Sequence, residues 1–297
     1  MERSPAPAAE DGVALRSTAD RPGPLGLIRE AIAETASRRR LIRYLVQADL
    51  KKKGSDTLLG NVWWILDPLL QMAVYVVLVT VIFQRTVPDY PLFIFAAILP
   101  WKWYTSSVSD AIGSVVGQER LIKQIHFPKL ILPTATTVAG IANFGFGLVA
   151  LAGLLVVFYA DRASPYLLLL PAIAAVQLVL TLAVAYVVSA VNVFFRDVAN
   201  VSRHALRIWF YLSPGLYGAD AIEALSETNP LVADLMRLNP FYTLFESYRA
   251  VIYGTAAGGP TSPPWAELAA WGLGSVVLLA LATFVFKRLE PAFAKVL

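Results

Sequence analysis

From about Leu130 to Tyr159 the chain runs without a single Asp, Glu, Lys, Arg or His. At ~1.5 Å per helical residue, such a run is long enough to cross a hydrocarbon core about 30 Å thick. Three more stretches of this kind occur. One runs from about Val62 to Phe83 with Asp67 its only charge, one from about Leu167 to Phe194, and one from about Trp265 to Phe286. Two weaker candidates complete the set. The stretch from about Leu92 to Val116 carries Lys102 and Asp110, and that from about Val201 to Tyr217 is short and ends at Pro214-Gly215. The pattern predicts an all-α polytopic membrane protein with six transmembrane helices. Composition points the same way. Hydrophobic residues make up 57% and charged residues 15% of the chain, against roughly 45–50% and about 25% in soluble proteins.

The basic residues sort by loop. With six spans both termini share one side, and that side holds 20 of the 25 Lys and Arg. It takes in the N-terminal segment through Asn61, the loop with Arg120, Lys123 and Lys129, the loop with Arg196, Arg203 and Arg207, and the terminal Lys287, Arg288 and Lys295. Arg85, Arg162, Arg237 and Arg249 fall on the other side, and Lys102 lies within a span. Cytoplasmic loops carry the excess of Lys and Arg, so both termini are expected in the cytoplasm, with the protein in the cytoplasmic (inner) membrane.

Three segments are not expected to span. Residues 1–36 open with acidic residues and lack the apolar core of a signal peptide; their Ala, Pro and charge content reads as a disordered cytoplasmic tail. Next comes a basic amphipathic segment, Ser37 to Asp56, within a unit running to residue 61. At helical spacing Arg40, Arg43, Gln47 and Lys51 form one polar stripe, opposite Leu41, Ile42, Leu45, Val46 and Ala48. Such a helix lies in the membrane interface with its cations near anionic headgroups. Far along the chain, 218–264 holds "NPFYTLFESYRAVIYG", where Asn239-Pro240 opens a helix. The run from Phe241 to Tyr253 is too short to cross and carries Glu246 and Arg249, so it reads as re-entrant.

Chemistry-bearing motifs are scarce. No Gly-rich phosphate loop of the G-x-x-x-x-G-K-[ST] form occurs, and no paired aspartates of the kind that hold a metal-bound diphosphate. His126 and His204 stand apart without ligand-spaced partners, cysteine is absent, and no metal site is expected. Intramembrane charge marks function by default, but Asp67 sits near the end of its span and Lys102 has a stem long enough to reach a carboxylate. The aromatic clusters say more. Trp63-Trp64 suits an interfacial belt, while Trp101, Trp103 and Tyr104, with Trp209, Phe210 and Tyr211, fall inside spans. Those six rings are candidates for lining a pathway in which sugars stack; packing between helices is the competing reading.

The order of an amphipathic helix, "LLGNVWWILDPLLQ", "ERLIKQIHFPKLILP", "FFRDVANVSRHALRIWFYLSP", "LNPFYTLFESYRAVIYG" and a terminal "FKRLEPAFAKVL" resembles the ABC-2 type permeases. The likeness is closest to the Wzm branch, which exports O-antigen, teichoic acid and galactan chains, and it covers Ser37 to the C-terminus. The resemblance implies a homodimer of permeases with two copies of a separate, Wzt-like ATPase. ATP and Mg would bind in that partner, with no cofactor and no covalent chemistry in this chain. Residues 37–61 would form a gate helix, with Arg40, Arg43 and Lys51 near a substrate headgroup. Residues 118–127 would be a coupling helix that meets the ATPase through Glu119, Arg120, Lys123 and Gln124; the Arg196-Asp197 loop is the second candidate. Residues 218–264 would be a pair of re-entrant external helices. The substrate implied is a glycan on a polyprenyl diphosphate. A membrane-embedded polyprenyl-linked glycosyl- or prenyltransferase is the alternative reading, and an ABC-2 permease for a drug or small lipid is another.

Overall fold

Inside a bilayer the backbone finds no water to bond with, so a chain this apolar must satisfy its polar groups within helices. The computed structural model describes residues 23–54, 60–125, 127–255 and 258–297, and among those residues it contains helices and no strand. In order, the helices are α1 (Pro24–Ser37), α2 (Arg39–Gly54), α3 (Trp63–Val76), α4 (Tyr90–Ser114), α5 (Glu119–Gln124) and α6 (Ile131–Phe158). They are followed by α7 (Leu170–Phe194), α8 (Val198–Leu212), α9 (Ala219–Thr228), α10 (Pro230–Arg237), α11 (Pro240–Ile252) and α12 (Trp265–Val296). A π-helical stretch, Val77–Ile82, prolongs α3.

Four of these are long and apolar enough to cross a membrane: Trp63–Ile82, Ile131–Phe158, Pro165–Phe194 and Trp265–Val296. They match the four uninterrupted apolar runs of the sequence. The other two expected spans correspond to α4 and α8, which are not in that set. Helix α4 carries charge, and α8 has 15 residues, a reach of only ~22 Å.

Helix α4 is the centre of the bundle. Helices α3, α6, α7, α8 and α11 all pack on it, and Leu92, Phe95, Ile98, Trp101, Tyr104 and Val108 are buried along its length. Close approach to α6 depends on glycine. A Cβ on Gly140 would fall 2.1 Å from Ser107 Oγ, and one on Gly147 would fall 2.0 Å from Leu99 Cδ1. Helix α7, which also packs on α6, grips α4 with two buried amides. Gln177 Nε2 donates to the Pro100 carbonyl at 2.8 Å, and Asn192 Nδ2 donates to the Ile112 carbonyl at 2.9 Å.

The N-terminal reading needs a correction. Residues 1–22 of the expected tail lie outside the described residues, but Pro24–Ser37 is a helix rather than a continuation of that tail. The cause is tertiary: α1 lies along α12, Ala31 is buried, and Glu34 meets Lys287 at 2.7 Å. A segment this short becomes helical through such packing more than through its own propensity. Helix α2 rests on α6. Leu41, Ile42, Leu45 and Val46 are half-buried, and Arg40, Arg43, Gln47 and Lys51 are exposed. Ala48, expected on the apolar face, is exposed as well. Residues 55–59 of the same unit lie outside the described residues.

At the far end of the bundle, 218–264 holds three helices instead of a pair. Helices α9 and α10 pack on each other, with Leu231, Leu235 and Leu238 exposed. Helix α11 is sunk against α4, α7 and α12. It begins where Asn239-Pro240 predicts: Asn239 Oδ1 accepts from Phe241 N at 3.0 Å, and Pro240 takes the first helical position.

Candidate transport site

The six candidate pathway rings do not share one environment. Trp101 is 6% exposed. It meets Phe241 edge-on, with ring centroids 4.7 Å apart, and lies 5.4 Å from Phe210. Tyr104 packs 4.6 Å from Phe241 and 5.6 Å from Trp209. These four rings, with Phe241 and Phe245, weld α4, α8 and α11 together. Trp103 points elsewhere, stacked on Phe144 of α6 at 4.7 Å. Tyr211, at 53%, is the one of the six that is exposed. Aromatic pairs in these geometries add ~0.5–1.5 kcal/mol each beyond simple burial, so five of the rings have a packing role whatever else they do.

Asn239 ties this cluster to the start of α11. Besides capping α11, its Oδ1 accepts from Trp209 Nε1 at 2.8 Å, and its Nδ2 donates to Ser213 Oγ at 2.7 Å. Arg249 adds a second tie. Its guanidinium donates to the Gly215 carbonyl at 2.6 Å, the Tyr217 carbonyl at 3.2 Å and Glu246 at 3.1 Å. The Phe93 ring of α4 lies 3.8 Å beneath it. Gly215 and Tyr217 belong to the break that ends α8, where Pro214 denies the helix an N–H. Arg249 is therefore buried and saturates carbonyls that the break leaves without helical partners. In the sequence it reads only as one external positive charge; nothing but its place in "NPFYTLFESYR" sets it apart.

The charges inside the bundle are paired. Lys102 donates to Asp67 of α3, and Asp110 receives Lys53 of α2 at 2.7 Å. Lys53 also reaches Asp49 at 2.9 Å. Alongside the Lys102–Asp67 pair a cavity of about 350 Å³ is walled by Trp63, Trp64, Trp103 and Phe144. Lys53 thus pins the end of α2 to α4, while the stripe residues Arg40, Arg43 and Lys51 stay exposed.

Helix α5 covers six residues at the end of the bundle that carries α1 and α2. Ile122 and Phe127 are buried anchors, whereas Arg120, Lys123 and Gln124 are exposed; His126 lies outside the described residues. Lys123 Nζ donates to Glu119 Oε1 at 2.6 Å and to the Leu297 carbonyl at 2.7 Å. That hydrogen bond holds the Glu119 carboxyl below its ordinary value, helped by the charges of Lys123 and Arg196. Arg196, just before α8, lies near enough for its charge to act on Glu119. Asp197 is exposed beside it.

Long apolar helices, with an amphipathic helix at one end and a short buried helix at the other, define a multi-pass membrane protein. No family model matches the chain. Over 264 residues it is 34% identical to an O-antigen export system permease protein, RfbA, of Myxococcus xanthus, covering 89% of this chain and 98% of that one. Two proteins of the same name from Klebsiella pneumoniae are each 23% identical over 264 residues, 86% of this chain and 95% of theirs. The chain belongs to this family of O-antigen export permeases, the Wzm-like branch of the ABC-2 type.

Proposed function

We propose that the chain is the membrane-spanning subunit of an ABC exporter that carries an O-antigen-type polysaccharide out across the cytoplasmic membrane. The observation that carries this reading is the 34% identity, over nearly the whole of both chains, to a relative named for O-antigen export. In it two copies of the permease pair with two copies of a Wzt-like ATPase that binds ATP and Mg, and both termini are cytoplasmic. Helices α4 and α8 complete six crossings, α4 because its charges are neutralised by Asp67 and Lys53, α8 with help from the helices that follow it. Helix α2 serves as the gate, offering Arg40, Arg43 and Lys51 to a polyprenyl-diphosphate headgroup. Helix α5 couples to the ATPase through Glu119, Arg120, Lys123 and Gln124, with Arg196 and Asp197 alongside. The aromatic cluster of Trp101, Tyr104, Trp209 and Phe210 forms the wall of the pathway, with Trp103 behind it and Tyr211 as the ring that touches sugar.

Depletion of the protein in its host tests the reading. A lipid-linked polysaccharide should accumulate on the cytoplasmic face while its surface form disappears. Unchanged surface polysaccharide, with accumulation of a small lipid or drug instead, would overturn it.

A further inference from the structure

Helix α8 has three faces. Leu206 and Phe210 are buried, Trp209 half-buried, and Val201, Ile208 and Leu212 exposed and apolar. Between these faces runs a third. At 100° per residue, Asn200, Arg203, His204, Arg207 and Tyr211 fall within about a quarter to a third of the helix circumference, and all five are exposed. Arg203 and Arg207 stand four residues apart, about 6 Å along the axis, where like charges repel. No acidic residue occurs between Val198 and Leu212 to relieve them. Neither arginine makes a salt bridge among the described residues, in contrast to Lys53, Lys102, Arg162, Arg249 and Lys287.

We propose that Arg203 and Arg207 form a diphosphate-binding station on α8, one turn before Tyr211. The proposal rests on the reading that the substrate is a glycan on a polyprenyl diphosphate. Two planar guanidinium forks side by side match the several oxygens of a diphosphate better than the single charge of a phosphodiester. The axial offset of about 6 Å between Arg207 and Tyr211 sets the first sugar against an exposed ring. The order along the face, charge then ring, follows the order in the substrate, diphosphate then sugar. The neighbouring apolar face is open to the polyprenyl chain. The station is distinct from the stripe on α2, which belongs to a different helix, and it gives the headgroup a second hold after the gate.

The test uses the complete transporter, permease with its ATPase, in lipid nanodiscs. Binding of a polyprenyl diphosphate and of the matching polyprenyl monophosphate is compared for wild type, R203Q/R207Q and R203K/R207K. The wild type should favour the diphosphate. The Gln variant should bind it at least tenfold more weakly and lose the preference, and the Lys variant, which keeps charge but not the fork, should fall between the two. Equal diphosphate affinity in all three overturns the station. So does a loss that vanishes when anionic phospholipid is left out of the nanodisc, since the arginines would then hold phospholipid headgroups. Should the wild type bind neither probe, the diphosphate-lipid reading itself fails, an outcome separable from failure of the station alone.

Discussion

Gln177 of α7 donates its side-chain amide to the carbonyl of Pro100 at 2.8 Å, at a position with no exposure to solvent. Pro100 interrupts the hydrogen-bond ladder of α4, and the amide adds an interhelical bond there, beside the aromatic cluster. Gln177→Leu should lower stability in detergent by ~0.6–1.7 kcal/mol, the range for single interhelical bonds in membrane proteins. Asn192→Leu, which removes the Ile112 contact, should do the same. A thermal unfolding midpoint left unmoved by both substitutions would show that these bonds do not fasten α4 to α7.

The aromatic residues separate into packed and exposed rings, and alanine distinguishes the two. Trp101→Ala removes a buried ring that packs against Phe210 and Phe241, and it should cost about 3–5 kcal/mol and most of the folded yield. Tyr211→Ala alters an exposed ring; folded yield should be normal and export reduced. Size-exclusion profiles and surface polysaccharide give the two readouts. Normal export in a well-folded Tyr211→Ala protein would remove that ring from the pathway.

Arg249 closes the break after α8 from a buried position. Arg249→Ala leaves Glu246 and two carbonyls without their donor, a loss on the order of 3–5 kcal/mol. Arg249→Lys keeps the charge but cannot reach Gly215, Tyr217 and Glu246 together, so it should recover only part of that stability. Equal melting temperatures for the wild type and the Lys variant would argue that charge alone is needed.

Arg120 and Lys123 project from α5, and reversing both to Glu should uncouple ATP hydrolysis from export or weaken assembly with the ATPase. The Glu119–Lys123 pair gives this contact an acid limit. Because the folded-state pKa of Glu119 is depressed, the pair persists somewhat below the ordinary carboxylate value and is lost as pH falls through the lowered one. Transport and assembly unchanged by the reversal would move the docking site to Arg196 and Asp197.

Much of this architecture is legible in the sequence where a signal is local. The four long spans need only a count of apolar residues, and Asn239-Pro240 announces α11 through capping chemistry. The stripe of α2 follows from helical periodicity. What is not legible depends on partners far away in the chain. Helix α4 looks too polar for the centre of a membrane bundle because Asp67 and Lys53, which pair with its charges, lie 35 and 57 residues from them. Helix α1 reads as tail because Lys287, its counterion, is 253 residues away. The pathway rings show the same limit: a cluster of Trp, Phe and Tyr within a span has one appearance in sequence whether it packs or lines. Phe241, arriving from α11 onto Trp101, Tyr104 and Trp209, and Phe144, arriving from α6 onto Trp103, reveal that most of these rings are packed.

Helix α12 extends ten residues beyond the end of its apolar run at Phe286, and its 32 residues reach ~48 Å, well past a core of about 30 Å. In that overhang Lys287 holds Glu34 of α1 and Glu290, while Glu290 accepts from the Lys129 N–H just ahead of α6 at 2.7 Å. The Leu297 carbonyl meets Lys123 of α5. The last helix thus works as a tie-rod. If α5 takes a push from a partner ATPase, as proposed above, these contacts join it to α1, to the start of α6 and to the body of α12.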